Sequence, residues 1–598
     1  MPRHLLTTRT ATWVLFAGIA AIIVWLYWPA HSASFAWDDR TCLHDAPWLR
    51  QGSMWRDYVF SGFCNWRNYF RPLVVLLYSA EMHLFNATPG PAHIVSIALH
   101  LINSALIGWL ALIMTGQRRT ETASRVLSAG AMLIYGLHPA LIGSVAWISV
   151  QFDQVVTLFT LMGLITNAQI RRTWLRAIAV ASCFFLAACA KELAATFPLI
   201  LVLFDWANAP DGECGNVRRL RTLLRRQAPV YAGVLLAGIA YLALRAATMG
   251  FLVHGAGHES LFSLNHWQAA AAAYLRYLRI LFWPMYGLGP IHIVNSQRFA
   301  MLNATNLIAD LAALAIFAGA FIGTWKRKRF AYPLLAATLA LLPVLHLVPI
   351  PFDPSLYHER YTTEALAFAL SLLPIAIISA KINDHLRRSV MATVVPVLVV
   401  WLIFAVINIR VTLPLWSNDL TLWRWVVAEN PGSFHSKSHL LSAYMDNGQL
   451  AAARKLSSEL MKIDAPCAEC MINVANLALQ DHDIQLAGKA LARARQSAAR
   501  HPSNSMVVAY IMTLGRLRET RGDLHGAEQA FRDAATLDAS DPRARFFLAL
   551  TLAKQGRIAQ ARRQADIAIA LFAPDERTAR RREFERALSA KPAIQPHP

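Results

Sequence analysis

The sequence predicts an all-α protein in which a polytopic bundle of membrane helices is followed by an α-solenoid of tetratricopeptide repeats. Of the 598 residues, 56% are apolar and only 16% are charged, and much of the apolar content lies in stretches long enough to cross a bilayer. Further on, the pattern changes to two-helix units with a 34-residue step. The predicted division is a membrane domain at 1–412, a connector at 413–430, a repeat domain at 431–575 and a basic C-terminal tail at 576–598.

The membrane domain contains about eleven apolar stretches that can be drawn as crossings, since a helix needs roughly 20 residues to span the hydrocarbon core. They lie at 11–28, 92–114, 124–141, 145–168, 174–190, 193–206, 229–247, 306–325, 332–349, 364–380 and 391–409. The stretch 72–85 is too short to cross, and 267–284 joins segments on one side. Both are predicted to be interfacial or re-entrant helices.

The formal charge of +21 indicates topology rather than nucleic-acid binding. The Lys and Arg residues form clusters between the apolar stretches, at 118–125, 171–176, 218–226, 326–329 and 381–388, where the positive-inside rule expects cytoplasmic loops. A cytoplasmic N-terminus places every cluster inside. With an odd number of crossings, the loops 33–71, 250–267 and 349–363 and everything after residue 410 lie outside, so membrane lipid is a partner and nucleic acid is not.

The repeat is visible in small residues that recur at fixed spacing. Ala453, Ala487, Ala527 and Ala561 are separated by 34, 40 and 34 residues. Such residues stand where two helices approach closely, and stacked units form a solenoid with a concave groove. The groove suits an extended partner, although repeats that only brace the membrane domain are the alternative.

Four cysteines are candidates for disulfides on an oxidising side of the membrane. Cys42 and Cys64 share the first outer loop, and Cys467 and Cys470 form a CxxC in the tail. Oxidising compartments permit disulfides. We therefore expect a Cys42–Cys64 bond and a Cys467–Cys470 bond.

Ionisable residues are concentrated where apolar stretches begin or end on the predicted outer side. Such residues are costly at membrane depth unless they are paired or used, and local salt bridges or helix-end hydrogen bonds are the alternative to function. The residues are Asp38, Asp39, Arg71, His93, His138, Asp153, Lys191, Glu192, His358, Glu359 and Arg360.

In their order and spacing these residues resemble the membrane-embedded glycosyltransferases of the GT-C fold that use lipid-phosphate sugars. The carrying motifs are Asp38-Asp39, Phe70-Arg71-Pro72-Leu73, His93 with His100 and Asn103, His138-Pro139, Ala190-Lys191-Glu192, Glu359-Arg360-Tyr361 and the segment 416–423. The resemblance is closest to the branch with tetratricopeptide repeats, the animal transmembrane O-mannosyltransferases and their bacterial relatives. It implies a bacterial inner-membrane protein with periplasmic repeats. Relatives commonly carry an Arg shortly before the acid in the fourth span, where this chain has Gln151-Phe152-Asp153, so sugar and acceptor preference are not carried over.

The resemblance also implies an inverting transfer of a monosaccharide from a polyprenyl-phosphate carrier to a protein or glycan acceptor. Asp38 would be the base that takes the acceptor proton, and Asp39 would orient it or bind the acceptor. Arg360, Lys191 and Arg71 would bind the lipid phosphate as its charge grows. The acceptor and sugar pocket would comprise His93, His138, Asp153, Glu192, His358 and Glu359.

Three alternatives stay open. The adjacent carboxylates also suggest a divalent metal, which we do not expect because neighbouring side chains diverge and no third acidic ligand is close in sequence; no other cofactor is predicted. A ligase or polymerase of lipid-linked oligosaccharides is a second enzyme class, although such enzymes usually depend on a large late outer loop. A non-enzymatic membrane-anchored repeat scaffold is the third, but one span would suffice for an anchor.

Overall fold

The computed structural model describes residues 3–46, 49, 59–60, 64, 69–116, 121–210, 215–250, 263–294, 296–347, 355–380, 384–463, 467–497 and 503–589. Parts of the predicted outer loops 33–71, 250–267 and 349–363 lie outside these residues. The described residues are almost entirely helical and include no β-strand, which confirms the all-α prediction. They divide into two compact units. The first draws on Met1–Phe35, Arg56–Glu81 and Thr88–Ser417, and the second on Ala36–Trp55, Met82–Ala87 and Asn418–Pro598.

The first unit is built mostly from apolar helices. Its α-helices are Arg3–Tyr27, Pro72–Leu84, Pro89–Thr115, Glu121–Gly136, Ile142–Ala146, Gln151–Gln169, Thr173–Ala190, Phe197–Asn208, Asn216–Met249, Leu264–Phe282, Ala304–Trp325, Ala331–Leu341, Thr362–Ile378 and Asp384–Thr412. Single turns of 3-10 helix interrupt the path at Trp28–Ser32, Pro139–Leu141, Ile148–Val150, Glu192–Thr196, Ser296–Phe299, Leu342–Val344, Glu359–Tyr361 and Leu413–Trp416.

Eight helices in the described part of the chain are long and apolar enough to cross a membrane, and a pair bent by 49° at His138 makes a ninth if counted as one span. The chain is therefore a helical protein that could pass through a membrane several times. Two of the eleven predicted crossings correspond to shorter helices, Phe197–Asn208 with 12 residues and Ala331–Leu341 with 11. At 1.5 Å per residue neither alone reaches across a core of about 30 Å.

The candidate spans differ in how much of each is buried by protein. The spans Ile148–Gln169 and Glu359–Ile378 are 78% and 72% buried, whereas Ala304–Trp325 and Ser389–Trp416 are 17% and 6% buried. The first two therefore form the centre of the bundle, and the other two present apolar side chains outward, as a lipid-facing helix does. The two central helices carry some of the buried ionisable residues, among them Asp153 and Glu364.

The second unit consists of helices in the tail together with a segment that follows the first helix of the chain and the segment Met82–Ala87. Its α-helices are Asp419–Glu429, Phe434–Asp446, Leu450–Lys462, Ala468–Gln480, Ile484–Ser497, Asn504–Thr520, Leu524–Leu537, Pro542–Lys554, Ile558–Leu571 and Pro574–Ser589. The segment that follows the first helix contains one turn of π-helix, Arg40–His44.

Four pairs of tail helices repeat one local geometry. The two helices of each pair are joined by a short turn that contains one residue in the left-handed region, and these residues are Gly448, His482, Gly522 and Gly556. Glycine adopts this conformation without a steric cost, and histidine pays one. The predicted close-contact alanines Ala453, Ala487, Ala527 and Ala561 are all completely buried. The periodic residues therefore occupy equivalent places in successive helix pairs.

Candidate functional site

Three breaks between helices bring ionisable residues together in the first unit. Asp153 lies in the first turn of the helix Gln151–Gln169. Lys191 follows the helix Thr173–Ala190 in an extended conformation, and Arg360 lies in the turn Glu359–Tyr361 that precedes a central helix. Each residue is therefore held at the end of a rigid element, where backbone groups that lack helical partners also occur.

Asp153 is the centre of the first group. Its side chain is fully buried, and the Lys191 ammonium donates a hydrogen bond to its Oδ1. Arg360 Nε lies 3.6 Å from Asp153 Oδ2. The side chains of Lys191 and Arg360 are themselves only 3% and 13% exposed. A buried carboxylate thus holds one buried cation and one mostly buried cation, an arrangement in which each charge depends on the others.

Glu192, the residue that follows Lys191, is the centre of a second group. Arg71 Nη2 donates to Glu192 Oε2 at 2.9 Å, and Arg71 Nε donates to the same oxygen at 3.3 Å. Arg245 Nη1 lies 3.7 Å from Glu192 Oε1. Burial alone would raise the pKa of Glu192, but Arg71 above all and Arg245 lower it below its usual range. Glu192 is therefore held ionised by Arg71, which immediately precedes the helix Pro72–Leu84, and by Arg245 in the helix Asn216–Met249.

Aromatic rings connect the two groups. The Arg71 guanidinium lies 4.2 Å from the centroid of the Phe152 ring, and the Lys191 ammonium lies 4.8 Å from the same centroid. Lys191 and Arg360 likewise lie 4.4 Å and 4.8 Å from the Tyr361 centroid. Such rings attract cations through their faces. We call Arg71, Asp153, Lys191, Glu192, Arg245 and Arg360 the cationic cluster.

The turn that carries Arg360 is anchored on both sides. Glu359 Oε1 accepts hydrogen bonds from the backbone N–H of Gly289 at 3.0 Å and from His292 Nε2 at 2.5 Å. The His292 ring stacks on Tyr357, with centroids 4.1 Å apart. These contacts direct Glu359 away from the cluster and fix the backbone from which Arg360 extends toward it.

The histidines of the predicted pocket make their hydrogen bonds outside the cationic cluster, although the centroid of the His358 ring lies 5.3 Å from that of Tyr361. His138 and the Leu281 carbonyl share a hydrogen bond of 3.3 Å, and His358 Nδ1 lies 3.2 Å from the Pro290 carbonyl. His93 is fully buried within the helix Pro89–Thr115. Of the six predicted pocket residues, the structure places Asp153 and Glu192 in the cationic cluster.

Three residues near the cluster were missing from the sequence-based set. Arg245 lies inside the predicted crossing 229–247, and an arginine at that depth is itself a signal. Phe152 and His292 gave no signal, because their roles depend on which helices become neighbours.

A further buried carboxylate, Asp205, accepts hydrogen bonds from the neutral side chains of Asn167, Gln227 and Tyr231 at 2.8, 3.1 and 2.7 Å.

The two acidic residues predicted to serve catalysis lie in the second unit. Asp39 is fully buried, and its Oδ2 accepts the backbone N–H of Ala36 at 3.3 Å. Asp38 is half-buried and follows a tight turn at Trp37. We call residues 36–46 the acidic segment.

Basic residues attach the acidic segment to acidic residues of the tail helices. Arg40 Nη1 lies 3.8 Å from Asp446 Oδ2, at the end of the helix Phe434–Asp446. His44 Nε2 lies 3.2 Å from Asp575 Oδ2, in the first turn of the helix Pro574–Ser589. The segment is therefore held at two points by helices that come much later in the sequence.

The His44 contact predicts a pH dependence for the second unit. A hydrogen bond with Asp45 raises the pKa of His44, burial opposes this, and Asp575 adds to it; Arg40 and Arg543 are the other charged groups that face Asp45. A group whose pKa is higher in the folded than in the unfolded state stabilises the fold fully at pH values below the unfolded-state pKa. This stabilisation is lost as pH rises through the folded-state pKa. We expect the difference in thermal stability between wild type and His44→Gln to be larger at pH 6 than at pH 8. A difference that grows with pH would contradict the assignment.

The cysteines occupy distinct environments. Cys467 and Cys470 are joined by a disulfide at the start of the helix Ala468–Gln480. Cys42 and Cys64 are each disulfide-bonded, and their pairing with each other stays a prediction. Within the described ranges, no three His, Cys, Asp or Glu side chains are arranged to hold a metal ion.

Comparison with known proteins adds no relative to this picture. The chain was compared with protein-family models, with curated proteins and with solved structures. None of the three comparisons gives a match.

Proposed function

We propose that the chain is an inverting membrane glycosyltransferase that moves a monosaccharide from a polyprenyl-phosphate carrier to a protein or glycan acceptor on the outer side of a bacterial inner membrane. The observation that carries the proposal is the cationic cluster. Among the described side chains it gathers four basic groups around two carboxylates at the ends of candidate membrane helices. The assignment of Asp38 as the base rests on the family resemblance.

The cluster suits a phosphate that gains charge during the reaction. A lipid phosphodiester bears one negative charge, and loss of the sugar leaves a phosphate monoester that bears up to two. Preorganised cations stabilise such developing charge without reorganising. Carboxylates at Asp153 and Glu192 hold the cations in place, and the rings of Phe152 and Tyr361 attract them through their faces.

The chemistry conserves charge and protons. The acceptor hydroxyl loses its proton to the Asp38 carboxylate as its oxygen bonds to the anomeric carbon. The bond from that carbon to the phosphate oxygen breaks with its electron pair, and the polyprenyl phosphate leaves. Arg360, Lys191 and Arg71 are the groups proposed to bind it.

The helix pairs of the second unit support an α-solenoid of tetratricopeptide repeats. Their left-handed turns and buried alanines recur with the spacing typical of that motif. A solenoid groove would accept an extended polypeptide or glycan chain. In the proposed function this groove holds the acceptor.

A donor assay tests the function directly. The full-length protein in nanodiscs is incubated with radiolabelled polyprenyl-phosphate monosaccharides, with a lipid-diphosphate oligosaccharide and with envelope extracts as acceptor. Label transferred from a monosaccharide carrier, with release of polyprenyl phosphate, is the expected result. Transfer from the oligosaccharide carrier alone would favour a ligase or polymerase, and transfer from neither would contradict the proposal.

Substitution of Arg360 tests the proposed phosphate site. Arg360→Ala removes one cation from the cluster, and charge-assisted hydrogen bonds are worth about 1.5–3 kcal/mol each. We expect carrier affinity to fall about 10-fold to 100-fold, measured by binding of a fluorescent polyprenyl phosphate. Arg410→Ala is the matched control, because Arg410 stacks on Trp25 at 4.0 Å outside the cluster. Equal binding by Arg360→Ala and wild type would remove Arg360 from the site.

A further inference from the structure

The turn before Asp38 has an unusual backbone. Trp37 has φ of +55°, a left-handed conformation that bulky side chains rarely adopt and that costs of order 1–3 kcal/mol. Such a strained conformation persists only where contacts with the surrounding structure hold it in place. The residues that hold Trp37 therefore indicate the role of this turn.

Those contacts come from the first helix of the tail. The backbone N–H of Trp37 donates to Asp419 Oδ1 at 2.6 Å, and Asp419 is the first residue of the helix Asp419–Glu429. The Trp37 ring meets the Trp423 ring edge-on, with centroids 5.2 Å apart. One carboxylate and one ring on successive turns of the same helix thus hold both the backbone and the side chain of Trp37.

That helix is in turn fixed by the next one. Trp423 is only 1% exposed, and it stacks on the His439 ring with centroids 4.1 Å apart and an interplanar angle of 7°. Burial lowers the pKa of His439 to about 4, so the ring is neutral at pH 7. The ring of His435 lies 4.6 Å from that of His439. A continuous series of packed rings therefore runs from the helix Phe434–Asp446 to the turn before Asp38.

We propose that Asp419 is a positioning residue for Asp38, so that the tail sets the orientation of the catalytic carboxylate in addition to any role in binding the acceptor. The inference rests on the proposed function, because it assumes that Asp38 is the base. The φ of Trp37 fixes the direction in which the chain leaves the turn, and the next residue is Asp38. Loss of the Asp419 contact lets Trp37 relax to an unstrained conformation, which reorients the Asp38 backbone.

Kinetics of three variants test this inference. Asp419→Ala removes the acceptor for the Trp37 N–H, whereas Asp419→Asn keeps an acceptor oxygen in its place. Asp523→Ala is the control: Asp523 Oδ1 accepts the backbone N–H of Gly526 at 2.8 Å and so caps another tail helix. A misplaced catalytic group costs up to about 100-fold. We expect Asp419→Ala to lower kcat about 10-fold to 100-fold with unchanged donor KM, and Asp419→Asn and Asp523→Ala to retain kcat within about threefold.

Hydrogen exchange of residues 36–46 provides a readout that does not require activity. Faster exchange there in Asp419→Ala, but not in Asp419→Asn or Asp523→Ala, is expected. Unchanged kcat in Asp419→Ala, or an equal loss in Asp523→Ala, would overturn the inference. If the wild-type protein transfers no sugar, the proposed function fails by itself. In that case hydrogen exchange alone tests whether the tail holds the acidic segment. Unchanged protection of residues 36–46 in Asp419→Ala would show that Asp419 does not hold it.

Discussion

Asp38→Asn is expected to abolish sugar transfer while the protein still folds and binds its carrier. A general base contributes ~100-fold to 10,000-fold, so its loss should raise the barrier by about 3 to 5 kcal/mol. The asparagine amide has nearly the shape of the carboxylate but cannot accept a proton at neutral pH. Turnover of a labelled polyprenyl-phosphate sugar, with binding of unlabelled carrier measured in parallel, gives the two quantities.

A distant carboxylate provides the control for this substitution. Asp481→Asn makes the same chemical change in the tail, where Asp481 pairs with Arg454 at 2.7 Å. That exchange should leave turnover within about twofold, since exposed ion pairs contribute little. Wild-type turnover in Asp38→Asn would remove Asp38 from the mechanism, even if the chain proves to be a transferase.

Asp153→Asn is expected to cause the largest loss of stability among single substitutions in the cluster. Removal of the carboxylate leaves Lys191 and Arg360 buried without it, and breaking a buried pair costs about 3–5 kcal/mol. Equilibrium unfolding in mixed detergent micelles measures the loss. The reference substitution is Glu364→Gln at another buried carboxyl group, which accepts a hydrogen bond from the neutral Thr160 at 3.2 Å. Its expected cost is below about 1.5 kcal/mol.

A second substitution distinguishes charge from packing. Lys191→Met replaces the ammonium with an apolar chain of similar length, so Asp153→Asn combined with Lys191→Met removes one charge of each sign. We expect the double variant to be more stable than Asp153→Asn alone, with a coupling free energy of about 0.5–3 kcal/mol. Additive losses would show that the Asp153–Lys191 contact does not matter for stability.

Apolar length and the period of the repeats were sufficient to predict the helices, but not where every helix ends. The predicted crossings 193–206 and 332–349 contain short helices because turns of 3-10 helix occur at Glu192–Thr196 and Leu342–Val344. Hydropathy does not register such a turn when its residues are apolar. In the tail, by contrast, small residues recur wherever two helices pack closely, so the spacing of these residues in the sequence predicted the helix pairs.

The ionisable residues were predictable as a set, whereas their partners were not. Lys191 and Glu192 are adjacent in sequence, and a local pair was one interpretation. In the structure Lys191 is extended between two helices, so the two side chains point to different neighbours, Asp153 and Arg71. Choice of partner depends on tertiary contacts between elements far apart in the chain. Arg245 shows the same limit, since nothing local links it to Glu192.

The acidic segment has a consequence for the order in which the protein can be completed. Its contact between Trp37 and Asp419 joins residues 382 positions apart, and the one between His44 and Asp575 joins residues 531 positions apart. The ribosome synthesises the acidic segment early and its partners Asp419 and Asp575 late. Loops of this length also close slowly. Most of the chain must therefore be synthesised before residues 36–46 can reach their final conformation, so a nascent or prematurely terminated chain is left without those partners.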